Sequence, residues 1–235
     1  MAVLDSGISE NVLKSTAGDL QVRELVNFTN EPETHDTLGH GTFIAGMVAS
    51  QNPDCPGLAP DAHLYVLKLF TAHQVTYSSW FLDAFNFVLE NDIDLVNLSN
   101  GSSDFLDLPF VEKIEELTAK GVIVVGAIGN EGPFQGTLNN PGDLVNVIGV
   151  GSLDQTLQNV AVYSSRGIAT WALLQGAGVM KPDLLTSGAA LKGLSIEGNG
   201  HCTVQSGTSV SASVLTGSLA LALSAIKSDQ ERKLV

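Results

Sequence analysis

Short apolar runs alternate with helix-like stretches from one end of the chain to the other. Ala2–Leu4, Leu64–Phe70, Leu95–Leu98, Val122–Ala127 and Val145–Val150 read as strands. Several are apolar almost throughout, the pattern of parallel strands buried on both faces rather than strands with one wet side. Between them the sequence predicts helices near Thr42–Ser50, Ser79–Glu90, Phe110–Ala119 and Thr208–Ala225. Strands alternating with helices predict an α/β fold, a mostly parallel twisted sheet with helices on both faces. No internal repeat, low-complexity segment or linker interrupts the pattern, so residues 1–235 read as one domain.

Composition narrows the class. Hydrophobic residues make up 44% of the chain and aromatic residues 6%, with 24 glycines, which implies an aliphatic core and many close backbone approaches. Eleven Lys and Arg against 25 Asp and Glu give a net charge of −14. That surface repels nucleic acid and anionic membranes, since phosphate binding needs clustered cations. It suits cationic peptides, calcium or plain solubility, and the acids form no tail. No apolar run reaches the roughly 18 residues of a membrane span, and no signal peptide is visible. The two cysteines, Cys55 and Cys202, make neither a disulfide framework nor a CxxC metal pattern.

In folds of this class functional groups collect beyond the carboxyl ends of the strands. Three turns there carry reactive side chains: Val3-Leu4-Asp5-Ser6-Gly7, Gly39-His40-Gly41-Thr42 and Ser206-Gly207-Thr208-Ser209. Singly each has an ordinary explanation, because Asp after a strand and Ser before a helix are usual turn and cap residues. Together Asp, His and Ser are the parts of a nucleophilic triad. A serine hydroxyl attacks only when a base takes its proton, and the base needs a carboxylate to fix its tautomer. Gly129-Asn130-Glu131-Gly132, after the run Val122–Ala127, adds an amide able to donate to an oxyanion.

VLDSGI, GHGTFIAG, AIGNEGP and SGTS resemble the sequence blocks of the subtilases, a family of serine proteases, and Gly57-Leu58-Ala59-Pro60-Asp61-Ala62 resembles their linking turn. The segments 74–86, 104–122, 136–143 and 164–171 resemble processing subtilases of the secretory pathway rather than bacterial subtilisins or furins. The resemblance implies a subtilisin-like fold and an endopeptidase working through an acyl-enzyme. Asp5 would orient, His40 act as general base and then acid, and Ser209 attack. Asn130 and the Ser209 N–H would form the oxyanion hole. Ser99, Asn100 and Gly101 would bind an extended substrate by strand addition. Gly126, Ala127 and Ile128 would wall the pocket for the residue before the cut. A basic residue four positions before the cut would meet Asp104 or Asp107, unless these only cap the helix near Phe110. Polypeptide substrates and an inhibitory propeptide are the expected partners, with no nucleic acid and no membrane contact by this segment. The endoplasmic reticulum and Golgi lumen is the expected compartment. No cofactor is needed for the chemistry, while structural calcium is implied by resemblance alone.

Some positions depart from the family pattern. Ser213 replaces the usual Pro four residues after the nucleophile, Ser211 replaces an Ala, and Asn100 stands where small or apolar residues are common. The domain also reads as shortened at both ends, without prodomain or transmembrane segment. A rival reading is therefore a catalytically impaired subtilase-like module that binds peptides or partners. Cys55 and Cys202 fit either a disulfide or two buried thiols. A glycosylation sequon at Asn97 falls in a predicted core strand and is expected to be inaccessible.

Overall fold

The computed structural model describes residues 1–15, 19–103, 107–169 and 178–226. Seven parallel strands form the central sheet: β1 (Ala2–Asp5), β2 (Val22–Asn27), β3 (Leu64–Lys68), β4 (Leu95–Leu98), β5 (Ile123–Ala127), β6 (Ile148–Leu153) and β9 (Leu184–Ser187). Their order is β2-β3-β1-β4-β5-β6-β9. β1 lies inside the sheet, in register with Tyr65–Lys68 on one side and Val96–Leu98 on the other. Because every strand runs the same way, all the carboxyl ends meet along one edge, and Asp5 ends β1 there.

The apolar runs are explained by the two faces they serve, since alternate side chains point to opposite sides of a strand. Leu4, Leu67 and Leu98 pack with Phe81, Phe85 and Val88 of α3 (Ser78–Glu90) and Phe110, Ile114 and Leu117 of α4 (Leu108–Ala119). Val3 and Val66 pack the other way, with Phe43, Ile44 and Val48 of α2 (His40–Ala49) and Val210 of α5 (Thr208–Ser224). Each such Leu or Phe contributes about 1.5–3 kcal/mol on full burial.

Three features differ from the sequence expectation. The run Val145–Val150 is half turn: Val147 N–H donates to Leu144 O at 3.2 Å, Val145 is exposed, and β6 begins only at Ile148. β2 escapes notice because VRELVN mixes charge into an edge strand with a single pairing partner. A short helix α1 (Glu10–Leu13), a small antiparallel pair β7 (Gly167–Ile168) and β8 (Met180–Lys181), and the hairpin β10 (Leu191–Leu194) and β11 (Cys202–Gln205) also lack strong periodic signals. The hairpin matters for the site, because β11 leads directly into the turn before α5. Cys202 in that strand forms a disulfide with Cys55, in the loop after α2.

Candidate active site

β1 delivers Asp5 to the carboxyl edge, where it is 1% exposed. Ser6 N–H donates to Asp5 Oδ1 at 2.8 Å. His40 opens α2, and its Nδ1 lies 2.8 Å from Asp5 Oδ1 and 3.0 Å from Oδ2. With two carboxylate oxygens facing it, Nδ1 carries the proton, so Nε2 is the free acceptor of the neutral ring. The approach of the two turns requires glycine: a Cβ on Gly41 would lie 2.5 Å from Gly7 O and 3.0 Å from Ser6 N.

Sequence reasoning missed the residue that holds this junction. Asp36 is 3% exposed and accepts five hydrogen bonds. Its Oδ1 takes Ser6 Oγ, Leu38 N–H and Gly39 N–H, each at 2.9 Å. Its Oδ2 takes Thr42 N–H at 2.9 Å and Thr42 Oγ1 at 2.7 Å. Ser6 Oγ in turn accepts Gly41 N–H at 2.9 Å, tying the Asp5 turn to the first turn of α2. The available signal was a carboxylate a few residues ahead of a helix start, the position from which it satisfies the helix's unpaired N–H groups.

Charge follows from this packing. Burial pushes the His40 imidazolium towards neutrality, but the Asp5 charge, the Asp5 hydrogen bond and the nearby Asp36 charge outweigh it, leaving the pKa above the ordinary 6.5. One third of the His40 side chain, 33%, remains open to solvent.

Ser209 sits in the first turn of α5, which lies against α2 so closely that a Cβ on Gly217 would be 3.5 Å from Val48 Cα. A polar ladder pins this helix to the sheet. Thr216 Oγ1 donates to Asn97 Oδ1 at 2.9 Å, Asn97 Nδ2 to Ser99 Oγ at 2.6 Å, and Ser99 Oγ to Ser209 O at 3.2 Å. Asn97 is fully buried, so its sequon is closed in the folded chain. The departures at Ser211 and Ser213 do not interrupt the helix. Ser213 Oγ donates to Val210 O at 2.7 Å, and Ser211 Oγ reaches Thr186 O at 3.4 Å.

Asn130 meets the same turn. Its Oδ1 accepts Thr208 N–H at 2.9 Å and Thr208 Oγ1 at 3.1 Å. A Cβ on Gly207 would lie 3.2 Å from Ser209 Oγ, 3.6 Å from Asn130 Nδ2 and 3.7 Å from Asn130 Oδ1. The hydroxyl and the amide therefore border the same small void left by the missing Gly207 side chain, with the positive end of α5 beside it.

The remaining predicted residues divide. Ser99, Asn100 and Gly101 follow β4 without regular strand pairing, and the next residue is already taken: Ser102 and Asn140 exchange backbone hydrogen bonds of 3.0 and 2.8 Å. Asn100 and Gly101 line a cavity of about 230 Å³ with Phe70, Phe81, Phe110 and Asp107. Asp107 caps α4, its Oδ1 accepting Phe110 N–H at 3.3 Å while Ser78 Oγ donates to Oδ2. It therefore both caps a helix and faces the cavity. Asp104 lies outside the described residues. Gly126 leaves no room for a side chain, a Cβ there meeting Val147 Cγ1 at 3.0 Å, while Ala127 and Ile128 are buried. The backbone of that segment is engaged as well: Ile128 N–H donates to Val150 O at 3.1 Å, and Ile128 O accepts Asn139 N–H at 2.9 Å.

The two cysteines form a disulfide between residues 147 apart, joining the loop after the His40 helix to the hairpin before Ser209. Among the described residues no group of three or more His, Cys, Asp or Glu side chains is placed to hold a metal ion. No helix among the described residues is long and apolar enough to cross a membrane.

A family model for the subtilases matches residues 1–234. The chain belongs to the subtilase family. This subtilase is 49% identical over its full length to the membrane-bound transcription factor site-1 protease of Homo sapiens, and 46% identical to the subtilisin-like protease SBT6.1 of Arabidopsis thaliana. It spans 21% and 22% of those proteins. Against subtilisin Savinase of Lederbergia lenta identity is 33% over 199 residues, covering 83% of this chain and 70% of the relative. Among solved structures, the S41 psychrophilic protease matches with a TM-score of 0.76 at 26% identity, over 98% of this subtilase and 79% of that chain. A cold-adapted subtilisin-like serine proteinase gives the same TM-score at 20% identity, over 95% and 74%. The parallel sheet and helices expected from the sequence are thus those of the subtilisin fold, and the family is one of serine proteases.

Proposed function

We propose that this subtilase is a serine endopeptidase acting through an acyl-enzyme. The observation that carries the reading is the buried Asp5 against His40 Nδ1, at the same sheet edge as the Ser209–Asn130 void. Asp5 holds the imidazole so that Nε2 is the base for the Ser209 hydroxyl. The proton taken from Ser209 then passes from His40 to the leaving amine, and a second cycle with water releases the acid. Asn130 Nδ2 and the Ser209 N–H stabilise the oxyanion in both half-reactions. Labelling with a fluorophosphonate probe tests this: the protein labels, while Ser209→Ala and His40→Ala do not. An unlabelled wild type would leave the impaired, peptide-binding module as the better description.

The substrates in this reading are polypeptides of the secretory-pathway lumen, cut after a short motif with a basic residue four positions upstream. An inhibitory propeptide is the matching regulator. The residues along Ser99–Gly101 would take an extended backbone, and alternate side chains of such a peptide share a face. Asp107 in the neighbouring cavity, with Asp104 beside it in sequence, supplies the carboxylate. An Arg–carboxylate pair contributes on the order of 1.5–3 kcal/mol, about ten- to a hundredfold in kcat/KM. Asp107→Asn should therefore slow peptides with Arg at that position selectively and spare those with Ala. Equal losses on both peptides would reduce Asp107 to a helix cap.

A further inference from the structure

The buried carboxylate of Asp5 has more acceptor capacity than His40 uses. Its Oδ1 is met by Ser6 N–H and by His40 Nδ1, whereas its Oδ2 faces His40 Nδ1 at 3.0 Å and a second group, Asn100 Nδ2, at 3.3 Å. The same Nδ2 lies 3.1 Å from Leu4 O. Both neighbours are acceptors only, so the amide nitrogen, and not the amide oxygen, must face them. A carboxylate oxygen removed from water needs such donors to stay ionised and in place. Asn100 in addition lines the cavity beside Gly101, so the same residue borders that cavity and the Asp5 carboxylate.

We propose that Asn100 is a positioning residue for the Asp5–His40 pair: anchored on Leu4 O, its amide donates to Asp5 Oδ2 and holds the carboxylate in the plane in which both oxygens face His40 Nδ1. The inference rests on the proteolytic reading above and adds to it a group acting through Asp5. Two consequences follow. Loss of the donor lets the carboxylate turn, which misaligns the imidazole and lowers kcat rather than raising KM. It also leaves more negative charge facing the imidazolium, so the acid limb of the pH profile moves up.

The other charged groups facing this pair are Asp36 from the turn before α2 and Lys68 from β3. Lys68 Nζ donates to Ser6 O at 3.3 Å and His35 O at 3.4 Å, and it pairs with Glu31 at 3.6 Å. None of these contacts involves Asn100, so their effect is common to wild type and variants.

The test compares wild type, Asn100→Leu and Asn100→Asp in the full-length protein, by fluorophosphonate labelling and by kcat and KM across pH. Both variants keep the number and branching of side-chain heavy atoms and lose the donor, and Asn100→Asp also places a second anion against Asp5. Expected is a fall in kcat of about tenfold for Asn100→Leu with KM nearly unchanged. Its acid limb should move up by about half a pH unit, and that of Asn100→Asp further. Unchanged kcat and an unmoved limb in either folded variant overturn the inference, as does a change confined to KM. Because Asn100→Asp alters only the end of the side chain, its kcat and acid limb decide the matter if Asn100→Leu does not fold. Failure of wild type to label refutes the proteolytic reading itself, a result distinct from labelling that is indifferent to residue 100.

Discussion

Asn130 and Thr208 are locked by a 2.9 Å hydrogen bond in which the Asn130 oxygen accepts the Thr208 N–H. An amide with its oxygen held in this way must present its nitrogen elsewhere, and the void beside Ser209 Oγ lies 3.6 Å or less from that nitrogen and the hydroxyl. The bond thus fixes the oxygen as the acceptor for Thr208 and leaves the nitrogen as the donor in the proposed oxyanion hole. Asn130→Asp keeps the acceptor for Thr208 and removes the donor. It should lower kcat by about a hundred- to a thousandfold with little change in KM. A steady-state comparison at saturating peptide checks this, and a loss confined to KM would mean that Asn130 binds substrate rather than the transition state.

Gly207 keeps the void open. A methyl group there lies 3.2 Å from Ser209 Oγ, inside the space the oxyanion and its donors share. Gly207→Ala should therefore abolish fluorophosphonate labelling, scored on the folded fraction because the backbone there, at φ +156°, is strained for any side chain. Retained labelling would place the reacting carbonyl elsewhere.

The His40 pKa is raised above 6.5, and the sign has two consequences. Catalysis needs the neutral ring, so kcat/KM should rise with pH through a midpoint above that value. Stability runs the other way: a group with its pKa raised on folding stabilises the fold fully below its unfolded pKa, and that contribution is lost as pH rises through the folded pKa. Asp36→Asn removes one of the charges behind the shift and should move the activity midpoint down. Ser209→Ala should leave the pH dependence of stability intact, which separates linkage from chemistry. An activity midpoint below about 6 would contradict the assignment of His40 as base.

The Cys55–Cys202 bond joins positions 147 apart, tying the loop after α2 to the hairpin strand that leads into α5. Cys55→Ala/Cys202→Ala should cost about 2–5 kcal/mol, or about 5–15 °C in Tm for a domain of this size. Since β11 leads into the Ser209 turn, reduction should also slow labelling before global unfolding. Labelling and circular dichroism followed together under dithiothreitol would show it, and parallel loss of both signals would deny any local effect.

Much of this was legible in the chain itself. The apolar runs of β1, β3 and β4 declared a sheet buried on both faces, because Leu4 and Leu67 serve one core while Val3 and Val66 serve the other. Gly-bounded Asp5, His40 and Ser209 pointed to the chemistry proposed above, since turns at strand ends and helix starts are local events that local residues specify. What stayed hidden depended on groups far apart in sequence. The edge strand β2 escaped notice because VRELVN mixes charged residues into the run, which an edge position tolerates. Asp36 was an ordinary acid until folding buried it among five donors. Asn100 was a departure from pattern until β4 brought it to Asp5 across 95 residues. Whether the two cysteines bond, which amide end of Asn130 meets Thr208 and how the Asp5 carboxylate meets His40 are matters of ångström-scale approach in a dry interior. Spacing in the chain carries no information about them, and only the packed tertiary structure decides them.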